Sequence, residues 1–291
     1  MATVAQWVEG ARLRTLPMAV APVIAGTGAA VHLWQFRPVC AVLALLVALF
    51  LQIGVNYAND YSDGIKGTDD SRVGPMRLTG SGAAPARHVK LAAFACFGLA
   101  MVSGLALVVI TGQWWFLLIG LSAVFAAWGY TGGRRPYGYM GLGDLFVFLY
   151  FGLVATMGTT FTQASQLSLT AVVSSVSLGL IACALLMANN LRDIPTDTEA
   201  GKLTLAVRLG GSRARLAYAA EVGLAFALML FTVPENPWNL LVLLALPLAW
   251  PAVRTVLSAT DMRRLIPVLK QTGLLSLLFA LLLLVASIIG A

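Results

Sequence analysis

The sequence predicts an all-α integral membrane protein, and three observations carry this prediction. Hydrophobic residues make up 59% of the 291 residues and charged residues only 11%, whereas soluble domains carry about a quarter charged residues. Apolar runs of roughly 20 residues recur along the chain, which is the length that crosses the bilayer core as a helix. These runs are too long for the strands of a membrane barrel, so helices remain as the structure that satisfies the backbone in lipid.

Nine hydrophobic segments are predicted to be transmembrane helices. They cover about 16–34, 39–58, 89–111, 113–131, 143–161, 169–190, 214–232, 238–257 and 269–290. We interpret the chain as one domain, 1–291, built from two related four-helix halves at about 16–131 and 143–257, with the ninth helix following them. The halves are suggested by a motif that recurs after the second and sixth segments.

The distribution of positive charge predicts the orientation. If the N-terminus lies in the cytoplasm, every lysine and arginine except Arg37 falls on that side, out of 19 in total. Cytoplasmic loops of membrane proteins carry such an excess. We therefore expect a multi-pass protein of the plasma membrane whose polar loops, 59–88, 131–143 and 191–213, place the active site at the cytoplasmic face. The basic excess is explained by topology, so no nucleic-acid partner is expected, and no obligate protein partner is inferred.

Two similar acidic motifs organise the chain. The first, ANDYSD, begins at Ala58, and the second, ANNLRD, begins at Ala188. Each follows an apolar run directly. The carboxylates of the two regions are Asp60, Asp63, Asp69, Asp70, Asp193 and Asp197.

The arrangement of these acids favours a Mg²⁺ site. Carboxylates at helix C-termini are disfavoured by the helix dipole and by their mutual repulsion, and a divalent cation reverses both effects. Mg²⁺ selects oxygen ligands, and Asn59 and Asn189 offer neutral oxygens beside the acids. Asn59 and Asp63 are four residues apart, as are Asp193 and Asp197, so each pair shares a helix face. The alternative is a set of solvated acids at helix ends.

Basic side chains accompany the acids in the same loops. They are Arg12, Arg14, Lys66, Arg72, Arg77, Arg192, Lys202 and Arg208. Carboxylate-bound metal beside lysine and arginine is suited to binding a diphosphate and stabilising it as a leaving group. Each basic residue alone is equally explained by the orientation of the chain.

A glycine-rich loop over 130–144 is the third candidate region. Its Arg134 and Arg135 offer anion contacts, and Tyr130 and Tyr139 offer rings with polar tips. The alternative is an ordinary turn with tyrosines at the level of the lipid headgroups. A separate acid, Glu221, lies inside a predicted span, and we expect it to reach the interface or pair with Arg215.

The two acidic motifs resemble those of the UbiA superfamily of intramembrane aromatic prenyltransferases. That family carries Asn-x-x-x-Asp-x-x-x-Asp after its second helix and Asp-x-x-x-Asp after its sixth. Asn59 and Asp63 match the first motif, whereas Gly67 stands at its third position. Asp193 and Asp197 match the second motif completely. The nearby Asp69 and Asp70 are candidates to replace the missing acid.

The resemblance extends over nearly the whole chain and implies a reaction. Tyr130 followed by Arg134 is similar to the family's loop between helices four and five, and segments 12–17, 59–68, 74–77, 136–139 and 189–205 resemble the branch that acts on 1,4-dihydroxy-2-naphthoate. It implies nine helices around a central cavity, and Mg²⁺-dependent transfer of a polyprenyl group from polyprenyl diphosphate with loss of carbon dioxide. The resemblance further implies metal ligands at Asn59, Asp60, Asp63, Asp69, Asp70, Asp193 and Asp197, a catalytic role for Arg134, and substrate contacts at Asn56, Tyr130, Tyr139 and Asn189 beside the basic residues named above.

Other functions remain open from the sequence alone. A superfamily enzyme that uses 4-hydroxybenzoate or haem as acceptor would carry the same acidic motifs. A cation transporter could also use carboxylates in a helix bundle, although such sites tend towards the bilayer midplane. Phospholipid head-group transfer is disfavoured because no Asp-Gly-x-x-Ala-Arg segment accompanies the acids.

Overall fold

The computed structural model describes residues 2–67 and 76–291, and this part of the chain is helical throughout. In chain order the helices are α1 (Val4–Gly10), α2 (Pro17–His32), α3 (Pro38–Ile65), α4 (Ala86–Thr111), α5 (Phe116–Gly129), α6 (Gly143–Ala164), α7 (Leu169–Arg192), α8 (Ile194–Glu199), α9 (Leu205–Leu209), α10 (Gly211–Thr232), α11 (Pro237–Ser258) and α12 (Met262–Ile289). Short 3₁₀ turns at Leu13–Thr15 and Tyr137–Met140 connect some of them.

Judged by helix length and composition, the described residues contain fewer candidate membrane spans than the nine predicted from the sequence. Within the two described ranges, seven helices are long and apolar enough to cross a membrane, or eight if the bent pair Val4–Thr15 and Pro17–His32 counts as one span. Helix α5 is apolar but has 14 residues, and a crossing takes about 20. An all-helical, multi-pass membrane protein is thus confirmed, whereas nine spans, two repeated halves and a cytoplasmic N-terminus stay predictions.

The helices pack through small residues. The largest buried cluster lies between α2, α7, α10, α11 and α12, and a smaller one joins α3 to α4. Helices α6 and α7 approach most closely at Gly152 and Gly179, where a Cβ added to Gly152 would lie 2.5 Å from the Gly179 Cα. Small residues at helix contacts allow this approach in membranes. Gly152 lies in a π-helical stretch of α6, Phe148–Val154.

The ends of α3 and α7 determine where the acidic motifs lie. Helix α3 continues to Ile65, about two turns beyond the predicted end of its span, so Asn59 and Asp63 lie on the helix itself. Helix α7 ends at Arg192, and α8 starts directly afterwards with a proline in its first turn. Proline lacks the N–H that continues a helix, and its position here explains the break at Asp193.

The expected pairing of Glu221 with Arg215 is wrong. The guanidinium of Arg215 donates to the backbone carbonyls of Val256 and Ala259 at the end of α11. Those two carbonyls belong to the last turn of a helix and have no partner within it. Arg215 thus caps α11, which leaves it unavailable to the acid.

Candidate active site

A cavity of about 670 Å³ brings the two acidic motifs to one place. Its polar end is lined by Arg12, Asn59, Asp63, Arg77, Tyr130, Asn189, Asn190 and Lys202. The rest of its wall is mainly apolar and comes from α2, α3, α4, α5 and α6. Along α3 the lining residues recur every three or four positions from Ala44 to Asp63, which corresponds to about 28 Å of helix. The cavity is therefore long, narrow and polar at one end.

The first motif presents Asp63 to the cavity. The hydroxyl of Tyr139 donates to Asp63 Oδ1 over 2.9 Å, and Arg77 Nη2 lies 3.9 Å from Asp63 Oδ2. One helical turn earlier, Asn59 Oδ1 accepts from the hydroxyl of Thr131 over 2.8 Å. Asp63 is 4% exposed. These contacts therefore hold a buried carboxylate that has the positively charged Arg77 nearby.

Asp60 has a structural role instead. Its two carboxylate oxygens accept from the backbone N–H groups of Leu78 and Thr79, both over 2.8 Å. Asp60 is 1% exposed, and it does not line the cavity. Helical spacing turns consecutive side chains by about 100°, so Asp60 cannot share a face with both Asn59 and Asp63. It ties α3 to the turn that precedes α4.

The second motif contains a tight ion pair. Arg192 donates to both oxygens of Asp193, over 2.6 Å and 2.7 Å, and to Asn189 Oδ1 over 3.0 Å. Asp197 follows one turn later, and its Oδ1 lies 3.4 Å from Lys202 Nζ. Asn189 and Lys202 line the cavity, whereas Asp193 and Asp197 are buried and are not part of its lining. Arg192 is also buried outside the lining, where it holds Asp193, and its substrate contact stays a prediction.

Tyr139 links the two motifs. Besides its bond to Asp63, its ring lies 4.9 Å from Lys66 Nζ and 5.5 Å from Lys202 Nζ. Its carbonyl accepts from the N–H of Leu203 over 3.0 Å. Lys66 Nζ also donates to the Thr131 carbonyl over 2.6 Å. Partial burial lowers the pKa of Lys66 below its usual value, and the charge of Asp63 opposes that change. The ring of Tyr139 thus orients two cations beside the acids.

Four predicted site residues lie away from the cavity. The side chains of Arg14, Arg134, Arg135 and Arg208 are exposed and are not part of its lining. Arg208 donates to the carbonyl of Leu203 over 3.1 Å and so holds its own loop. A loop sequence does not determine which way its side chains face, and this explains the difference. Three further predicted residues, Asp69, Asp70 and Arg72, lie outside the described residues.

Several residues of the cavity were not predicted from the sequence. They are Thr15, Gln52 and Asn190 in the lining, together with Thr131 behind Asn59. The sequence did contain a pattern that indicates Asn190. It follows Asn189 at the position where the first motif has Asp60 after Asn59. Gln52 was indicated as well, since a glutamine inside an apolar span is costly unless it is bonded or functional. The predicted Asn56 is buried, and it donates to the carbonyl of Ala11 over 2.9 Å.

The donor set fits a magnesium ion. Asp63, Asp193 and Asp197 with the amide oxygens of Asn59 and Asn189 are hard oxygen ligands, the type that Mg²⁺ prefers. Mg²⁺ normally completes its octahedron with waters and substrate phosphates, and the polar end of the cavity offers space for both. Among residues 2–67 and 76–291, no three acidic, histidine or cysteine side chains are close enough to form a metal site by themselves.

Comparison with known sequences places the chain among prenyltransferases. The UbiA prenyltransferase family matches residues 19–266. A 1,4-dihydroxy-2-naphthoate octaprenyltransferase of Mycobacterium tuberculosis is 50% identical over 97% of this chain and 96% of its own length. The Escherichia coli protein of the same name is 40% identical over 91% of this chain and 89% of its own length.

Solved structures show the same fold at low sequence identity. A UbiA homologue from Archaeoglobus fulgidus, bound to GPP and Mg²⁺, has a TM-score of 0.68 and 17% identity, covering 97% of this chain and 99% of that one. A homologue from Aeropyrum pernix gives a TM-score of 0.68 at 18% identity, covering 94% of this chain and 97% of that one. Together with the family match, these likenesses lead to one conclusion. The chain belongs to the UbiA prenyltransferase family.

Proposed function

We propose that this protein transfers a polyprenyl group from polyprenyl diphosphate to 1,4-dihydroxy-2-naphthoate, with loss of carbon dioxide, in a Mg²⁺-dependent reaction. The observation that carries the proposal is the single cavity with both acidic motifs and several cations at its polar end. The relatives at 50% and 40% identity are named for octaprenyl transfer to the same acceptor, 1,4-dihydroxy-2-naphthoate. A cation transporter is disfavoured because the acids lie at helix ends.

The polar end of the cavity is suited to a diphosphate. Lys202 and Arg77 line it, and Lys66 lies beside them over the ring of Tyr139. Cations placed where charge develops stabilise a departing diphosphate. Asp63, Asp193 and Asp197 would hold Mg²⁺, which supplies neutralisation of the diphosphate charge when bound. Tyr139 keeps the Asp63 carboxylate oriented towards the cavity.

The apolar length of the cavity suits the polyprenyl tail and the reactive carbon. Breaking the bond between that carbon and the diphosphate oxygen leaves an allylic cation, and the electron pair of the bond departs with the diphosphate. The electron-rich naphthoate ring then forms the new carbon–carbon bond at its carboxyl-bearing carbon. The ring then loses its carboxyl group as carbon dioxide, so the pair of electrons from that bond restores aromaticity. An apolar wall excludes water that would otherwise capture the cation.

The acceptor carboxylate is proposed to bind Arg12. Arg12 lines the cavity, whereas the predicted alternatives in the 130–144 loop, Arg134 and Arg135, have exposed side chains and do not line it. Arginine binds carboxylates through two parallel hydrogen bonds. We also propose that the polar end faces the cytoplasm of a plasma-membrane protein with nine spans, which is supported by the positive charge on one side of the chain.

The test uses purified protein in lipid nanodiscs, with polyprenyl diphosphate, 1,4-dihydroxy-2-naphthoate and either Mg²⁺ or a chelator. We expect a prenylated naphthoquinol and carbon dioxide only with Mg²⁺. Asp63→Ala and Asp193→Ala should abolish turnover while the protein remains folded by circular dichroism. Near-normal activity of either variant would exclude the metal assignment. Turnover of 4-hydroxybenzoate alone would keep the family and replace the acceptor.

A further inference from the structure

We infer that Thr15 is a positioning residue that holds Arg12 in the acceptor pocket and thereby determines recognition of the acceptor carboxylate. The inference rests on the proposed function for the identity of the acceptor. The inference goes beyond the proposed function because it assigns a role to Thr15 and to its partners Gln52 and Asn56. None of the three bonds to the acidic motifs in the hydrogen bonds described above.

Arg12 makes a sharp bend of the backbone, with φ 54° and ψ 62° in the left-handed region. After Thr15, the segment Val4–Thr15 that contains this bend meets Pro17–His32 at an angle of 50°. Only glycine adopts this left-handed conformation readily, and another residue persists there only where its surroundings hold it. The bend therefore needs stabilising contacts from outside the segment.

Thr15 supplies those contacts together with α3. The Thr15 hydroxyl donates to the carbonyl of Arg12 over 3.0 Å and accepts from Gln52 Nε2 over 2.8 Å. Asn56 Nδ2 also reaches Thr15 Oγ1 over 3.2 Å and donates to the Ala11 carbonyl over 2.9 Å. Gln52 and Asn56 are one turn apart on α3, so they share a helix face. Three side chains thus hold the carbonyls on either side of the bend.

The guanidinium that this bend directs inward is unsatisfied. Arg12 Nη2 is buried, and within the described residues it has no hydrogen-bond partner. A buried donor on a cation costs more to leave unpaired than a neutral one. Arg12, Thr15, Gln52 and Asn56 all line the cavity, so an anion that binds there lies beside the Arg12 side chain, whose guanidinium has a hydrogen-bond donor to offer it.

The acceptor carboxylate and the diphosphate are placed at different levels along α3. Asn56, which holds the bend, precedes Asp63 by seven residues, or about 10 Å along the helix. The diphosphate is placed at Asp63 with its own cations, Arg77 and Lys202. The acceptor, which must meet the reactive carbon beyond the diphosphate, is the anion at the level of Arg12.

The experiment measures, by calorimetry, the binding of two acceptor-like probes to the full-length protein in nanodiscs. The probes are 1-hydroxy-2-naphthoate and 1-naphthol, which differ only in the carboxylate. Thr15→Val removes the hydroxyl at constant shape, and Thr15→Ser keeps it. Thr255→Val is the matched control, since its hydroxyl bonds only the Pro251 carbonyl of its own helix over 2.8 Å.

We expect Thr15→Val to weaken binding of 1-hydroxy-2-naphthoate about fivefold, the effect of losing one neutral hydrogen bond, since the Thr15 hydroxyl donates to the Arg12 carbonyl. Binding of 1-naphthol and of Mg²⁺ with inorganic diphosphate should stay as in the wild type, and Thr15→Ser should restore carboxylate binding. Equal weakening of both naphthalene probes would show a purely structural role and overturn the inference. So would unchanged binding of both, or weakening of diphosphate alone.

A second variant covers a failure of Thr15→Val to fold. Gln52→Met removes the donor to Thr15 with similar volume, and the same selective loss of the carboxylate probe is expected. Loss of both probes there would likewise overturn the inference. Because these titrations need no catalysis, their outcome is distinct from the prenyl-transfer test of the proposed function.

Discussion

Tyr139→Phe tests the link between the two acidic motifs most directly. The substitution removes the hydroxyl that donates to Asp63 Oδ1 over 2.9 Å and keeps the ring that Lys66 and Lys202 approach at 4.9 Å and 5.5 Å. Any change therefore reports the hydrogen bond and not the cation contacts. Asp63 is 4% exposed, so water does not readily replace the lost donor.

The expected magnitude follows from the charge of the acceptor. A hydrogen bond to a charged group contributes about 1.5–3 kcal/mol, which corresponds to about 10- to 100-fold in kcat/KM for prenyl transfer. Because the bond orients a proposed metal ligand, the Mg²⁺ concentration that gives half-maximal rate should rise as well. The KM for 1,4-dihydroxy-2-naphthoate should change little, since Arg12 and not Tyr139 is proposed to bind it.

The assay is steady-state prenyl transfer in nanodiscs over a range of Mg²⁺ concentrations. Tyr218→Phe is the matched control, because it removes a buried hydroxyl that is bonded to Thr272 over 2.8 Å and is not part of the cavity lining. We expect the control to lower thermal stability slightly and leave the Mg²⁺ dependence intact. A Tyr139→Phe enzyme with wild-type kcat/KM and wild-type Mg²⁺ dependence would refute the reasoning.

Three further predictions follow from residues whose placement differs from, or adds to, the sequence expectation. Asp60→Ala should lower the free energy of unfolding by about 1–3 kcal/mol, because two backbone N–H groups lose their acceptor. Arg134→Ala and Arg135→Ala should leave both substrate KM values within about twofold, as for most exposed positions. Gly152→Val should destabilise the protein by about 1–3 kcal/mol through overpacking, since its Cβ would meet Gly179.

A different result would contradict each of these three predictions. Thermal unfolding in detergent measures the first and third; a strong shift in the Mg²⁺ dependence of Asp60→Ala would return Asp60 to the metal site. A KM for naphthoate or polyprenyl diphosphate raised tenfold in Arg134→Ala would return the 130–144 loop to substrate binding. Wild-type stability of Gly152→Val would mean that α6 and α7 separate readily at this contact.

The sequence by itself determined the fold class and the acidic motifs, and it predicted the chemistry of the site. Apolar runs must be helical in lipid because no other open structure satisfies the backbone there. The four-residue spacing of Asn59 and Asp63 defines a shared helix face, and the structure places both on the cavity. The abundance of carboxylates in a chain poor in charge indicated metal and diphosphate chemistry without any tertiary information.

Tertiary structure alone decided which polar residues face that cavity. Asp60 has the same side chain as Asp63, yet it binds Leu78 and Thr79 because helical geometry turns it away from the cavity face. Arg134 lies in a loop whose direction no local pattern determines, whereas Arg12 lines the cavity at a bend whose carbonyls are bonded by Thr15 and Asn56. Those contacts join segments up to 45 residues apart, so only the packing of the helices brings them together.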